Sequence, residues 1–138
     1  MKGSGTFHQL VYHFVWGTKT RLPLLTAEVE AALFLYIRNK CREMDYVLFA
    51  VNGATDHLHL LLELAPSERV SDVAKLLKGG SAHYINHSTK SNMALFWQDG
   101  YAVVTLRKSE IPTVVNYISR QKEHHQSNTL IPLLELPK

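Results

Sequence analysis

Alternating hydrophobic and polar residues mark four segments of the chain and predict four β-strands. These segments are rich in β-branched and aromatic residues and are separated by polar turn residues. The predicted strands cover residues 7–16, 46–51, 56–64 and 96–106, with an interruption near Asp99 and Gly100. Residues 52–55 (Asn-Gly-Ala-Thr) join the second strand to the third and predict an antiparallel hairpin.

Apolar residues that recur every three or four positions predict three helices between and after these strands. The helices are expected from the N-cap Thr26 to about Met44, over residues 71–87, and from the N-cap Ser109 to about His125. Gly79 and Gly80 in the second helix each cost about 1 kcal/mol relative to alanine. They indicate a kink or the close approach of another backbone.

The order of the elements, β-α-β-β-α-β followed by a helix, predicts an α+β fold with a ferredoxin-like antiparallel sheet. Such a sheet carries its helices on one face and leaves the other face open. In the third strand, one face is an unbroken apolar row suited to the core, made of Leu58, Leu60, Leu62 and Leu64. His57 and His59 belong to the opposite face and are therefore expected on the open side of the sheet.

Composition limits the classes of protein to consider. With 138 residues, 46% hydrophobic and 20% charged, the chain is expected to form one globular domain over residues 1–138. A net charge of +3 permits an anionic partner without requiring one. Cys41 is the only cysteine, which excludes a disulfide framework and a CxxC zinc site. The sequence has no transmembrane-length apolar run and no signal-peptide core, so a cytoplasmic location is expected.

The histidine pair of the third strand is the first candidate for chemistry. Two residues along a strand place His57 and His59 about 7 Å apart on one face. Two imidazoles on a rigid strand can hold a metal ion with little loss of conformational entropy. The alternative is that one or both histidines simply face solvent.

The last predicted helix carries a second set of polar residues. Tyr117, Gln121 and His124 stand at positions i, i+4 and i+7, on a stripe separate from the apolar stripe of the helix. Alone, such a stripe is typical of ordinary exposed residues. Beside the histidine pair, it suggests a metal held by His57, His59 and the Gln121 carbonyl oxygen, with open positions for a phosphate oxygen. Tyr117 would then be the nucleophile.

These motifs resemble those of a known family. His57-Leu58-His59 is similar to the histidine–hydrophobic–histidine motif of the HUH endonucleases, and residues 117–121 with His124 resemble the tyrosine helix of their single-tyrosine transposases. Residues 12–19, 76–79 and 96–101 agree in order and spacing. The resemblance covers about residues 7–125 and extends to the related REP-associated tyrosine transposases.

The resemblance implies a mechanism and partners. A divalent ion, Mg²⁺ or Mn²⁺, would polarise a phosphate of single-stranded DNA, and Tyr117 on the C-terminal helix would attack it to form a 5′-phosphotyrosine. A 3′-OH would later reverse the step on another strand, without ATP. Expected partners are the hairpin ends of the protein's own element and a second copy of the chain, with composite active sites in the homodimer. The apolar segment 130–138 also favours a dimer.

Basic and aromatic residues around this expected site are candidates for DNA contact. They are Lys19, Arg21, Lys75, Lys78, Arg107, Lys108, Arg120, Lys122 and Trp97. For the charged residues the alternative is a solvated surface. Trp97 and Tyr101 are both candidates for base stacking, and core packing is expected for at least one of them.

Other functions remain open at this point. An RRM-like domain would bind RNA on the open sheet face without catalysis, although the aromatic and basic RNP pattern is missing. A small hydrolytic metalloprotein would use His57, His59 and a third ligand and form no covalent adduct with DNA. His83 and His87, one turn apart, are candidates for a separate zinc site.

Overall fold

The computed structural model describes residues 5–88 and 93–123, which form a four-stranded antiparallel sheet with three helices. The elements are β1 (Val11–Gly17), α1 (Ala27–Glu43), β2 (Val47–Ala54), β3 (His57–Glu63), α2 (Val70–Asn86), β4 (Ala102–Leu106) and α3 (Ile111–Ser119). The strand order is β2-β3-β1-β4. The predicted α+β, ferredoxin-like arrangement with an added C-terminal helix is confirmed.

The main core lies between one face of the sheet and the helices α1 and α2. The leucines on the even-numbered positions of β3 face this layer and are buried, as their alternation predicts. Their buried neighbours from β1 and the two helices are Phe14, Trp16, Leu33, Ile37, Val73 and Leu77. This layer fixes the orientation of β3, so the odd-numbered residues of β3 must face the other side.

The opposite face of the sheet is not open along β2 and β3, contrary to the prediction. Helix α3 packs there, and its Val114 and Ile118 form a second apolar cluster with Val11 and Leu61. The physical reason is the apolar stripe of α3, which has to be buried against another apolar surface. His57 and His59 are therefore buried, with exposures of 1% and 0%.

Strand boundaries differ from the prediction by several residues. β1 begins at Val11 rather than at residue 7, and β4 begins at Ala102 rather than at residue 96. Trp97 contributes only an isolated bridge to Thr18. β2 continues to Ala54, so the hairpin turn consists of residues 55–56 alone.

Helix ends are confirmed at α1 and corrected at α3. The Thr26 hydroxyl accepts the Val29 N–H at 3.3 Å and caps α1. Ser109 does not cap α3, because it lies in a 3₁₀ turn whose Arg107 N–H donates to the Glu110 carboxylate at 2.7 Å. α3 ends at Ser119, and residues 121–123 form a further helical turn. His124, His125 and the segment 130–138 lie outside the described residues.

The glycine pair of α2 has a packing explanation in only one of its two members. α2 is one continuous helix through both glycines. A Cβ atom on Gly80 would overlap the Tyr36 hydroxyl of α1, whereas a Cβ atom on Gly79 would have no neighbour within 4 Å. The sequence predicted a kink or a close backbone at this pair, but the close neighbour is the Tyr36 side chain at Gly80.

We expect Gly79→Ala to stabilise the protein and Gly80→Ala to destabilise it relative to that variant. The gain from replacing a helical glycine is about 0.4–1 kcal/mol, and overpacking costs about 1–3 kcal/mol. Urea unfolding followed by circular dichroism measures the difference. Adding Tyr36→Phe to Gly80→Ala removes the overlapping hydroxyl and should recover part of the loss. Equal stability of the two glycine variants would contradict this packing.

Candidate active site

The histidine pair lies on β3, which is one of the two inner strands of the sheet. His57 and His59 share the face of β3 that α3 covers, and their ring centroids lie 5.1 Å apart. Gly17 and Ala54 are the residues paired with His57 on the two neighbouring strands.

Gln121 joins the pair from the C-terminal segment. Its Oε1 lies 3.4 Å from His57 Nε2, and its side chain is fully buried. The sequence predicted that Tyr117 and Gln121 lie on one continuous helix. They do not, because Arg120 between them departs from helical geometry (φ −109°, ψ 22°). Gln121 nevertheless reaches the histidines, because the helical turn 121–123 follows directly.

Tyr117 lies at the same place. Its ring centroid is 6.1 Å from that of His59, with the rings at 77° to each other. Tyr117 is only 3% exposed, so it is buried beside the histidines rather than exposed on the helix surface. Tyr84 lies at an apolar position of the second helix, for which the sequence pattern predicts burial, yet it is 45% exposed. Among the described tyrosines, Tyr117 is the one beside the histidine pair.

Asp56 orients His57 from outside the pair. Its Oδ1 accepts a hydrogen bond from His57 Nδ1 at 2.9 Å, and its Oδ2 accepts one from Arg21 Nε at 3.2 Å. Burial raises the pKa of Asp56, but the hydrogen bonds and positive charge of His57 and Arg21 outweigh it, so that the pKa lies below the ordinary value. An ionised Asp56 keeps the His57 proton on Nδ1 and turns a lone pair on Nε2 toward Gln121.

The donor set fits a divalent metal ion. When neutral His57 donates from Nδ1, its Nε2 and Gln121 Oε1 are two acceptors facing each other at 3.4 Å. An imidazole nitrogen and an amide oxygen are ligands that suit Mn²⁺ and related ions. Within residues 5–88 and 93–123, no group of three His, Cys, Asp or Glu side chains could hold a metal.

Asn52 and Lys122 anchor α3, a role that the sequence analysis did not predict for either residue. Asn52 Nδ2 donates to the carbonyl oxygens of Ile118 and Ser119 at 3.0 and 3.3 Å. Lys122 Nζ donates to Asn52 Oδ1 at 2.9 Å and to Glu30 Oε2 at 2.9 Å. We expected Asn52 in a turn and Lys122 on phosphate. Their bonds instead hold the end of α3, and with it Tyr117 and Gln121, on the β2–β3 hairpin.

His13 was also missed as a site residue. Its Nε2 lies 2.9 Å from His59 Nδ1, and it is buried on the same face of the sheet. The sequence shows which face of β1 His13 shares with its neighbours two positions away. It does not show the register between β1 and β3, which decides that His13 meets His59.

The candidate DNA-contact residues fall into three groups. Lys19, Lys75, Arg107 and Lys108 are exposed. Arg21 and Arg120 are exposed but ion-paired, Arg21 with Asp56 and Arg120 with Glu123 at 3.1 Å. Lys78 Nζ donates to the Gln98 and Gly100 carbonyls at 2.8 and 2.7 Å, and burial lowers its pKa.

The two aromatic candidates divide as expected, one packed and one exposed. Trp97 is half-buried, stands edge-on to Trp16 with centroids 6.0 Å apart, and donates from Nε1 to Ser81 Oγ at 3.0 Å. Tyr101 is 37% exposed. Trp97 therefore belongs to the packing of α2, and Tyr101 presents a surface.

Two surface cavities meet at Tyr101. One, of about 320 Å³, is lined by Arg21, residues 98–100, Tyr101 and their neighbours. The other, of about 290 Å³, is lined by Lys75, Lys78, Gly100 and Tyr101, together with small residues of α2. Together these two cavities form a groove that runs from Arg21 to α2. Arg21 is linked to His57 through Asp56, which bonds to both side chains.

The structure bears on two alternatives raised by the sequence, an RRM-like domain and a zinc site at His83 and His87. The half of the sheet face that an RRM-like domain needs free is covered by α3. His83 and His87 stack with centroids 4.1 Å apart, and the His87 Nδ1 donates to the His83 carbonyl at 2.9 Å. Their rings lie face to face rather than converging on one point.

In the part of the chain that the structure describes, no helix is long and apolar enough to span a membrane.

Comparison with known proteins identifies the family. The chain is 29% identical over 127 residues to the ISDra2 transposase TnpA of Deinococcus radiodurans, covering 88% of this chain and 91% of the relative. It is 29% identical over 117 residues to the IS200 transposase of Salmonella typhimurium, covering 81% of this chain and 76% of that protein.

Solved structures share the fold. A crystal structure from Deinococcus radiodurans R1, described as a transposase, superposes with a TM-score of 0.67 at 30% identity, over 88% of this chain and 97% of that one. A REP-associated tyrosine transposase bound to a REP hairpin has a TM-score of 0.65 at 18% identity, over 91% and 74% of the two chains. The family model described as "Transposase IS200 like" matches residues 6–121. The chain therefore belongs to the IS200-like transposases, enzymes that act on DNA.

Proposed function

We propose that this transposase cleaves single-stranded DNA with Tyr117 as the nucleophile and a divalent ion, Mg²⁺ or Mn²⁺, held by His57, His59 and Gln121. The observation that carries the proposal is the convergence of these four side chains from β3, α3 and the turn after α3. All four are buried, although His59 and Tyr117 are 58 residues apart in sequence.

The proposed reaction uses the side chains as follows. The Tyr117 oxygen loses its proton and forms a bond to phosphorus while the P–O3′ bond breaks. The departing 3′ oxygen takes up one proton, so that the proton given up by Tyr117 to solvent is balanced. A 5′-phosphotyrosine and a free 3′-OH result, and attack by a 3′-OH on that phosphotyrosine later joins two strands and releases Tyr117. Tyrosine is almost fully protonated at neutral pH, with an ordinary pKa of about 10. A divalent ion held by His57, His59 and Gln121 would polarise the phosphate and offset its developing charge.

Replacing Tyr117 by Phe should abolish strand cleavage, because no covalent intermediate can form without the hydroxyl. Binding of single-stranded DNA should survive. Mass spectrometry of the trapped adduct should find a 5′-phosphorylated DNA fragment on the peptide that contains Tyr117. Tyr84→Phe is the matched control, since Tyr84 is exposed on α2 and should leave cleavage unchanged. An adduct on another tyrosine would reject this mechanism.

His57→Ala should weaken Mn²⁺ binding and remove metal-dependent cleavage. Gln121→Ala should have a milder effect, because water can take the place of the amide oxygen. Isothermal titration with Mn²⁺ measures the affinities, with His83→Ala as a control for loss of an exposed histidine. Since His57 is buried, some loss of stability is also expected, and unfolding of each variant must be followed. Unchanged Mn²⁺ affinity in His57→Ala would exclude this ligand set.

Imidazole ligands favour transition metals over Mg²⁺, so we expect Mn²⁺ to bind more tightly than Mg²⁺. This preference concerns affinity in vitro. Mg²⁺ can still be the ion used in the cell, where the available concentration also decides occupancy.

The DNA strand is proposed to follow the groove from Arg21 past Tyr101 to Lys75 and Lys78. The exposed ring of Tyr101 offers a stacking surface for an unpaired base, and the lysines offer positive charge for phosphates. Lys19, Arg107 and Arg120 are proposed as further phosphate contacts. Trp97 then supports the groove through Ser81 rather than touching a base.

Tyr101→Ala should weaken binding of a short single strand about 5- to 150-fold, which corresponds to the loss of about 1–3 kcal/mol of stacking on one base. Tyr101→Phe keeps the ring and should bind like the unmodified protein. Fluorescence anisotropy with a labelled oligonucleotide measures both. If the alanine and phenylalanine variants bind equally well, the strand does not stack on this residue.

The proposed substrate ends are DNA hairpins of the protein's own element, and the proposed location is the cytoplasm. A fold neighbour is bound to a REP hairpin, which supports a hairpin ligand for the same architecture. Residues 1–138 are proposed to act as one catalytic domain. Stronger binding of an unpaired strand than of a hairpin from the element's end would argue against hairpin recognition.

A homodimer is proposed as the assembly. Among the described strands, β4 pairs only with β1, so its outer edge is available for a second chain. Light scattering that shows only monomer at micromolar concentration would exclude it. The described residues bring Tyr117 to the histidines of its own chain, so a composite site is a separate question. Recovery of activity on mixing His57→Ala with Tyr117→Phe chains would support composite sites.

A further inference from the structure

We infer that His13 is a positioning residue for the proposed metal site and acts by accepting a hydrogen bond from His59. This inference rests on the function proposed above and adds a residue to which that function assigns no role. His13 does not belong to the His57-Leu58-His59 motif and comes from a different strand.

The register of the sheet places His13 against His59. On β1, Val15 is paired with His59 and His13 with Leu61, so His13 is the diagonal neighbour of His59 on the same face. The two ring centroids lie 5.1 Å apart with a tilt of 33°. His13 is 1% exposed and its paired neighbours on the two flanking strands are Leu61 and Val104. A buried imidazole in such surroundings is costly without a hydrogen bond.

The contact itself defines the direction of the hydrogen bond once a metal is bound. His13 Nε2 lies 2.9 Å from His59 Nδ1, which leaves Nε2 as the nitrogen of His59 available for a metal. A nitrogen that ligates a metal carries no proton, so neutral His59 must carry its proton on Nδ1. His59 then donates and His13 Nε2 accepts.

The same arrangement exists at the other ligand. His57 donates from Nδ1 to Asp56 at 2.9 Å, as His59 donates to His13. Each histidine thus has an outer acceptor that fixes its ring and its tautomer, a carboxylate for His57 and an imidazole for His59. Loss of such an outer partner typically lowers metal affinity about 10- to 100-fold.

The test compares two replacements of His13 of similar size. His13→Gln places an amide oxygen near the position of Nε2 and can still accept from His59, whereas His13→Met fills the space without a comparable acceptor. Titration of the metal-free proteins with Mn²⁺ should show a loss of affinity of about 10- to 100-fold in His13→Met and recovery to within about threefold in His13→Gln. Thermal unfolding without metal reports whether each variant is folded.

A second measurement needs no substitution. In the unmodified protein loaded with Zn²⁺ as a diamagnetic probe, nitrogen NMR of the histidine rings should show a proton on His59 Nδ1 and none on His13 Nε2. This result decides the question if His13→Met does not fold.

The outcomes separate the two proposals. Unchanged Mn²⁺ affinity in His13→Met, equal losses in both variants, or a proton on His13 Nε2 in the loaded protein would each overturn the role of His13 while leaving the metal site in place. Absence of Mn²⁺ binding by the unmodified protein would instead overturn the metal site itself.

Discussion

The packing of α3 against the β2–β3 half of the sheet is the interaction on which the site depends. Val114 and Ile118 pack on Leu61 and Val11, and this contact brings the end of the helix over the histidine pair. Asn52 and Lys122 then fix the carbonyl end of α3 to the hairpin by hydrogen bonds. Without this layer, Tyr117 and Gln121 would have no fixed relation to β3.

The parts of this arrangement that follow from local periodicity were predictable. The two-residue repeat of β3 separates its leucines from His57 and His59 whatever the rest of the chain does. The spacing of apolar residues likewise located the helices and the stripe that α3 buries. The order of these elements then led to the ferredoxin-like fold.

The parts that depend on tertiary contacts were not predictable in this way. A stripe on α3 indicates that the helix packs, but not that it covers the histidine face, so the pair was expected in the open and is buried. The partnership of His13 with His59 depends on the register of two strands more than forty residues apart. Tyr84 lies on an apolar stripe that predicts burial. It packs on Tyr36 of α1, with ring centroids 5.4 Å apart, and still remains 45% exposed.

The burial of so many polar groups in one layer is itself an argument about function. His13, His57, His59 and Gln121 are all enclosed between the sheet and the C-terminal segment, where an unpaired polar group costs several kcal/mol. The hydrogen bonds between His13 and His59 and between His57 and Asp56 offset part of that cost. They do not make the layer more stable than an apolar one, since well-packed hydrophobic side chains often replace buried polar networks at no loss. Stability alone therefore gives little reason for this set. A requirement to place two imidazoles, an amide oxygen and a phenol at fixed positions away from bulk water does give one.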